Sequence, residues 1–193
     1  ICNLESTGAS IQVVQADIAV AEDVKHLLAV CPQPLRGLVH AAGVLDDGSL
    51  SQQTTERFAA VMAPKVQGAW HLHCLTADQP LDFFVCFSSM VTLLEHGGQS
   101  NYAAANAFLD GLMASRQAQG LPGMSLNWGA WADVGMAANM AERERTRMTS
   151  QGFGLIEPNE GQQVLKTLFA QVWQAYTSQV GIFPINWQTF LRH

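Results

Sequence analysis

A doubly wound α/β fold, a parallel sheet with helices on both faces, is what this chain predicts, and three observations carry it. Short apolar runs rich in β-branched and aromatic residues alternate with longer segments of helical period. These runs end in polar residues, Asp17, His40, Ser88, Ser89 and Asn127, and open parallel sheets bind ligands at that edge of their strands. The composition, 48% apolar and 13% charged over 193 residues, suits a single buried core.

The elements follow in order. Residues 11–16 read as a strand ending at Asp17, residues 21–30 as a helix, and Pro32 and Pro34 as a break before a strand at 36–40. A long helix over 53–76 carries Phe58, Val61, Met62, Val66 and Ala69 at roughly helical spacing, with Pro64 forcing a kink or break. Residues 81–88 form the most apolar strand. A helix over 102–119 is stopped by Gly120 and Pro122, and a strand over 123–128 follows. After Trp131 a polar, Met-containing segment leads to a helix over 160–176 and a last strand over 179–183. The chain shows no repeats and no low-complexity tract.

Several function classes are excluded early. Net charge is −6, and the one basic cluster, Arg143-Glu144-Arg145-Thr146-Arg147, is interleaved with acid, as on a solvated helix face, so nucleic acid is not an expected partner. Cys2, Cys31, Cys74 and Cys86 lack paired spacing, so neither a disulfide framework nor a metal site is expected, and a reducing cytoplasmic compartment is. No apolar stretch is long enough to span a membrane and no signal-peptide pattern opens the chain. The start at Ile1, without an initiator methionine, points to a segment of a longer polypeptide.

Chemistry concentrates between residues 62 and 106. Lys65 lies in Ala63-Pro64-Lys65-Val66, Ser89 follows the run Phe83-Phe84-Val85-Cys86-Phe87, and Tyr102 stands thirteen positions after Ser89 and four before Asn106. Hydride addition to a ketone builds negative charge on oxygen, so a donor must supply a proton or a strong hydrogen bond as that charge grows. Tyr102 is the candidate acid, Lys65 the cation that stabilises its phenolate, Ser89 a second donor to the carbonyl, and Asn106 an orienting amide. Taken singly, each has a plainer role: a half-buried packing tyrosine, a solvated lysine head, a serine cap, a polar helix residue. Their joint spacing favours one site.

These residues, with Gly37-Leu38-Val39-His40-Ala41-Ala42-Gly43-Val44-Leu45-Asp46-Asp47-Gly48, Gly98-Gln99-Ser100-Asn101-Tyr102 and Asn127-Trp128-Gly129-Ala130-Trp131, give the chain its resemblance to a family. It resembles the ketoreductase domains of modular polyketide synthases, within the short-chain dehydrogenase/reductase superfamily. In most of that superfamily a lysine follows the tyrosine by four positions; the polyketide and animal fatty acid synthase reductases exchange it with an upstream asparagine, and Asn106 and Lys65 match the exchanged order. The resemblance implies a Rossmann-like sheet and an NADPH cofactor contacted by Asp17, Ile18, His40, Ala41, Ala42, Gly43, Asn127, Trp128 and Gly129, with Asp17 at the adenine. It implies reduction of a β-ketoacyl thioester carried on the phosphopantetheine of an acyl carrier protein, with neighbouring synthase domains as partners. Leu45-Asp46-Asp47 resembles the B-type mark, which gives the D-configured hydroxyl, and Leu94 replaces the A-type tryptophan. Leu45, Asp46, Asp47, Leu94, Gln99 and Met136 are therefore the expected substrate and stereocontrol residues, with residues 132–158 as a lid.

One departure stands out: the chain has no Gly-rich phosphate loop and no strand before residue 11 to host one. In the strand order 3-2-1-4-5-6 the 11–16 strand would be third and the 36–40 strand fourth, separated by two strands that this chain lacks. The sequence thus reads as the C-terminal part of a catalytic subdomain, with 1–131 the remaining core, 132–158 the lid and 159–193 a final helix and strand; the N-terminal half would be its partner, and the chain alone is expected to be inactive. Two alternatives differ in kind: an inactive reductase remnant kept as scaffold, and a reductase of free small ketones. A serine hydrolase lacks a Gly-x-Ser-x-Gly setting at Ser89.

Overall fold

The computed structural model describes residues 2–94, 97–132, 142–171 and 177–192. Four strands, β1 (Gly37–His40), β2 (Phe83–Ser89), β3 (Met124–Trp128) and β4 (Gln179–Ile182), pair in chain order and all in parallel. Parallel neighbours need crossover helices, and the chain supplies them. They follow α1 (Cys2–Glu5) and α2 (Ala21–Val30): α3 (Thr55–Met62) and α4 (Gly68–Leu75) lie between β1 and β2, and α5 (Ser100–Ala118) between β2 and β3. Between β3 and β4 come α6 (Glu142–Ser150) and α7 (Pro158–Gln171), and α8 (Trp187–Phe190) ends the fold.

Side chains alternate across a strand, so β2 serves two cores. Phe84 and Cys86 join Val24, Ala69, Leu72, Leu109 and Met113 beneath α2, α4 and α5. Val85 joins Met124, Leu126, Trp128 and Ile156 on the other face, where Val164, Leu165, Leu168 and Phe169 of α7 close the layer. A sheet covered on both faces is the environment parallel strands require.

Two local features position the site. The 53–76 helix is interrupted where Pro64 cannot donate a backbone hydrogen bond: α3 opens into a π-turn over Ala63–Gln67, and α4 continues from it. Asp110, near the middle of α5, accepts from Thr92 Oγ1 (2.8 Å), Ser125 Oγ, Asn127 Nδ2 (3.0 Å) and Gln179 Nε2 (3.0 Å). One carboxylate thereby fixes the rotation of α5 against β3, β4 and the turn after β2. The helix ends as its sequence predicts, with Gly120 at φ +74° and the Leu121 N–H returning to the Arg116 carbonyl at 2.9 Å.

Some expectations need correction. Residues 11–16 form no strand, and Val13 is 76% exposed; among the described residues no strand lies beside them, and an unpaired strand has nothing to bond. The expected lid contains α6, whose Met148 is buried, whereas Val134, Gly135, Met136 and Met140 lie outside the described residues. Two four-residue helices, α1 and α8, were not foreseen. Among the described residues no helix is long and apolar enough to cross a membrane.

Candidate active site

Lys65 occupies the middle of the π-turn and is 2% exposed. The widened turn carries its side chain beneath the C-terminal edge of the sheet, where Nζ donates to the Phe87 carbonyl at 3.0 Å and stands 5.4 Å from the centre of the Tyr102 ring. Gly43 makes the passage possible, because a Cβ there would lie 2.9 Å from Lys65 Cε. The Ala41-Ala42-Gly43 segment, an expected cofactor contact, thus also clears the lysine stem. Burial pulls the ammonium down to about 8, against the opposing influence of Cys86 and Asp110. Cys86 stays a thiol, since its own burial raises it to about 12.

Tyr102 lies in the first turn of α5 and is 7% exposed. Burial raises its phenol above the ordinary value; the Asn106 amide and the Ser89 hydroxyl beside it act in the opposite direction, and the Asp47 carboxylate adds to the rise. Asn106, one helical turn on, donates Nδ2 to the Tyr102 carbonyl at 2.8 Å and leaves Oδ1 buried without a partner. Ser89 also caps the turn over Met90–Thr92 by accepting from the Val91 N–H at 3.4 Å, so the capping role and the site role coexist. Ser88, on the opposite face of β2, donates to the Asn106 carbonyl at 3.4 Å and accepts from Asn127. The four candidate residues therefore do meet at one edge of the sheet.

The expected cofactor residues divide. Ala41 and Ala42 are exposed at the end of β1. Asp17 is exposed, with Oδ1 accepting from the Ala19 N–H at 2.9 Å in the turn that leads into α2. The Ile18 side chain packs on Gly68, where a Cβ would meet its Cγ2 at 2.8 Å. His40 is buried rather than open to a ligand: burial first, then the Lys65 charge, hold it neutral with a pKa of about 4, although a bond to the Pro64 backbone counters, and its Nε2 has no partner. Asn127 turns inward toward Ser88, Ser89, Thr92 and Asp110, and Trp128 makes tilted ring contacts with Phe87 (5.4 Å) and Trp131 (4.8 Å). Gly129 fits against Phe183, whose Cβ would be 2.7 Å from an added Cβ. β3 is buried along its whole length, so within the fold the Asn127 amide is fixed by hydrogen bonds and the Trp128 ring by aromatic contacts. Lys65 shares only one of its three N–H donors with the Phe87 carbonyl among the described residues, which fits a hydroxylated ligand at this edge.

The substrate side shows what sequence reasoning missed. Gln99 Nε2 donates to Asp47 Oδ2 at 2.8 Å, and Asn101, fully buried, donates Nδ2 to the Asp46 carbonyl at 2.8 Å while its Oδ1 accepts the Tyr102 N–H at 2.8 Å. Leu45 is 39% exposed, and Leu94 closes the turn after β2 by donating its N–H to the Met90 carbonyl at 3.0 Å. Asn101, Arg57 and Asp110 were assigned no role in the sequence; a polar residue immediately before the tyrosine was the available signal for the first.

Comparison with known proteins bears on the family of this chain. The model of the KR (ketoreductase) domain family matches residues 1–133. The chain is 43% identical over 171 residues to the phenolphthiocerol synthesis polyketide synthase type I Pks15/1 of Mycobacterium marinum, covering 86% of this chain and 8% of that protein. It is 45% identical over 170 residues to the polyketide synthase GfsB of Streptomyces halstedii, covering 86% of this chain and 3% of the relative. Among solved structures, an A-type ketoreductase of a modular polyketide synthase superposes with a TM-score of 0.88 at 36% identity, covering 98% of this chain and 39% of that one. The first ketoreductase of the tylosin synthase gives 0.86 at 33%, covering 98% and 40%. The family model over residues 1–133, the identity to polyketide synthases and the superposition on their solved ketoreductases show that this chain belongs to the KR domain family of modular polyketide synthases.

Proposed function

We propose that this chain carries the proton-delivering half of an NADPH-dependent reductase that converts a carrier-protein-tethered β-ketoacyl thioester into the β-hydroxyacyl thioester during polyketide synthesis, with B-type stereochemistry. The observation that carries the reading is the Tyr102 phenol flanked by Ser89 and Asn106, with the buried Lys65 ammonium 5.4 Å from its ring. The bound nicotinamide supplies the hydride. Everything else falls to this chain's residues. Tyr102 gives its proton to the alkoxide oxygen as charge develops, and Ser89 donates a second hydrogen bond to the same oxygen. Lys65, cationic below about pH 8, stabilises the phenolate left behind. Asn106 holds the helix turn on which the phenol sits and offers a buried acceptor toward a water or the lysine.

The B-type reading rests on Leu45-Asp46-Asp47 and Leu94, and it is supported by the link from this loop to the tyrosine helix, where Asn101 joins the Asp46 carbonyl to the Tyr102 N–H. Overall likeness does not select the type, since solved A-type relatives share the whole fold. The acyl carrier protein and adjoining synthase domains are proposed as partners from the architecture of the relatives, of which this chain spans a small share.

The deciding experiment follows NADPH oxidation and product chirality on the natural polypeptide containing this chain, given a carrier-bound β-ketoacyl thioester. Turnover to the D-alcohol, falling about 10²–10⁴-fold in Tyr102→Phe, is expected. Undiminished turnover in the mutant would overturn the role of Tyr102, the L-alcohol the B-type assignment, and equal efficiency on a free ketone the carrier-bound substrate.

A further inference from the structure

The loop after β1 is held by one side chain that the chemistry above does not use. Arg57, in the first turns of α3, has its backbone N–H capped by Thr54 Oγ1 at 3.4 Å, and its guanidinium turns back over residues 46–52. Nε donates to Asp46 Oδ1 at 2.9 Å and Nη2 reaches the same oxygen; Nη2 also donates to the Asp47 carbonyl at 2.6 Å and Nη1 to the Gln52 carbonyl at 3.0 Å. Gly48 closes over the fork, since a Cβ there would lie 2.7 Å from Nη1.

The same loop is tied on its other side to the tyrosine helix. The Gly48 N–H donates to the Gly98 carbonyl at 2.8 Å, Gln99 holds Asp47, and Asn101 joins the Asp46 carbonyl to the Tyr102 N–H. Asp46 thus gives its carboxylate to Arg57 and its carbonyl to Asn101, and a continuous line of direct hydrogen bonds runs from Arg57 to the backbone of the acid. A planar guanidinium can meet a carboxylate and two carbonyls together, which a single ammonium at the end of a lysine stem cannot.

We propose that Arg57 is a positioning residue for stereocontrol: it fixes the Leu45–Gly48 wall relative to Tyr102 and so decides which face of the substrate carbonyl is presented to hydride. This rests on the reductase reading above but not on which enantiomer is made. Arg57 touches neither the acid nor Lys65, so its loss acts on the orientation of the substrate and not on proton delivery.

The test uses the natural polypeptide containing this chain, a carrier-bound β-ketoacyl thioester, and four variants, Arg57→Lys, Arg57→Met, Asp46→Asn and the double variant Arg57→Lys/Asp46→Asn. Enantiomer ratio, kcat and KM are read for each. The ratio is expected to fall at least tenfold in Arg57→Met and by a smaller factor in Arg57→Lys, while kcat stays within about tenfold of wild type. Arg57→Lys combined with Asp46→Asn should give little further change, as for two groups acting through one contact. An unchanged ratio in any Arg57 variant that turns over overturns the inference. Should Arg57→Met fail to fold, the ratio in Arg57→Lys, which keeps the charge and loses the planar fork, decides in the same way. A wild type that binds NADPH without turnover retires the reductase reading and the inference with it, whereas a wild type giving the L-alcohol retires only the B-type assignment.

Discussion

Two buried cations, Lys65 and Arg116, lie in the same layer between the sheet and its helices, and they differ in what surrounds them. Arg116, 1% exposed, donates Nε to the Pro122 carbonyl and Nη1 to His73 Nδ1, both at 2.8 Å, and lays its guanidinium over Phe84, 4.4 Å from the ring centre. Because arginine can only donate, His73 must accept at Nδ1 and carry its proton on the other nitrogen. Burial lowers the His73 pKa, and the Arg116 charge lowers it further. The partners recorded for that guanidinium, a carbonyl, an imidazole and an aromatic ring, all belong to the fold's own packing. Lys65 has one carbonyl, Phe87, and otherwise faces the phenol. Burial alone therefore does not mark a functional cation; burial beside a candidate acid at the C-terminal edge of the sheet does.

Removing each cation separates the two roles. Lys65→Met is expected to cut kcat by at least about 10²-fold with little loss of melting temperature, since it exchanges a sparsely bonded buried charge for an apolar chain of similar length. Arg116→Met should do the reverse, lowering unfolding free energy by about 2–4 kcal/mol as a buried carbonyl loses its donor and packing is lost, with kcat per folded molecule unchanged. Chemical denaturation beside single-turnover assays reads both, and a large drop in kcat for Arg116→Met would erase the distinction. Gly43→Ala sharpens it further. The added methyl displaces the lysine stem and not the fold, so about a tenfold loss of kcat with near-wild-type stability is expected. The mildest test is pH: kcat/KM should fall as pH rises through about 8, where Lys65 loses its proton. The sign for stability is opposite. Between about 8 and 10.5 the unfolded lysine binds the proton that the folded one has released, so stability from this group rises with pH across the window in which activity declines.

How far the sequence foretold this varies by residue. The four strands of the sheet, α2, α5 and the break at Pro64 were legible because apolar period and Pro/Gly punctuation are local signals. The meeting of Lys65, Ser89, Tyr102 and Asn106 was legible through their joint spacing. The 11–16 segment misled because β-branched residues describe a strand without naming its neighbour, and pairing is a property of two segments. Gly43 was legible only as an expected cofactor contact, since only the fold brings the lysine stem beneath it. Arg57 and Asp110 were invisible for the same cause. Their importance lies in partners up to 69 positions away, as with Gln179, and nothing in their immediate neighbours announces those contacts.

The π-turn at Ala63–Gln67 carries one residue more than an α-helical path would need. An α-helix advances about 100° per residue, so deleting one residue there would close the turn and rotate everything on one side of it by that angle relative to the other. Arg57 and Val61 lie before the turn, Ala69 and Leu72 after it, and Lys65 within it. No rigid rotation could return the loop clamp, the core and the lysine to their places together. A regular helix is thus inaccessible by single-residue deletion: the irregularity acts as a phase setting shared by folding and chemistry, and a lineage could lose it only by redesigning both at once.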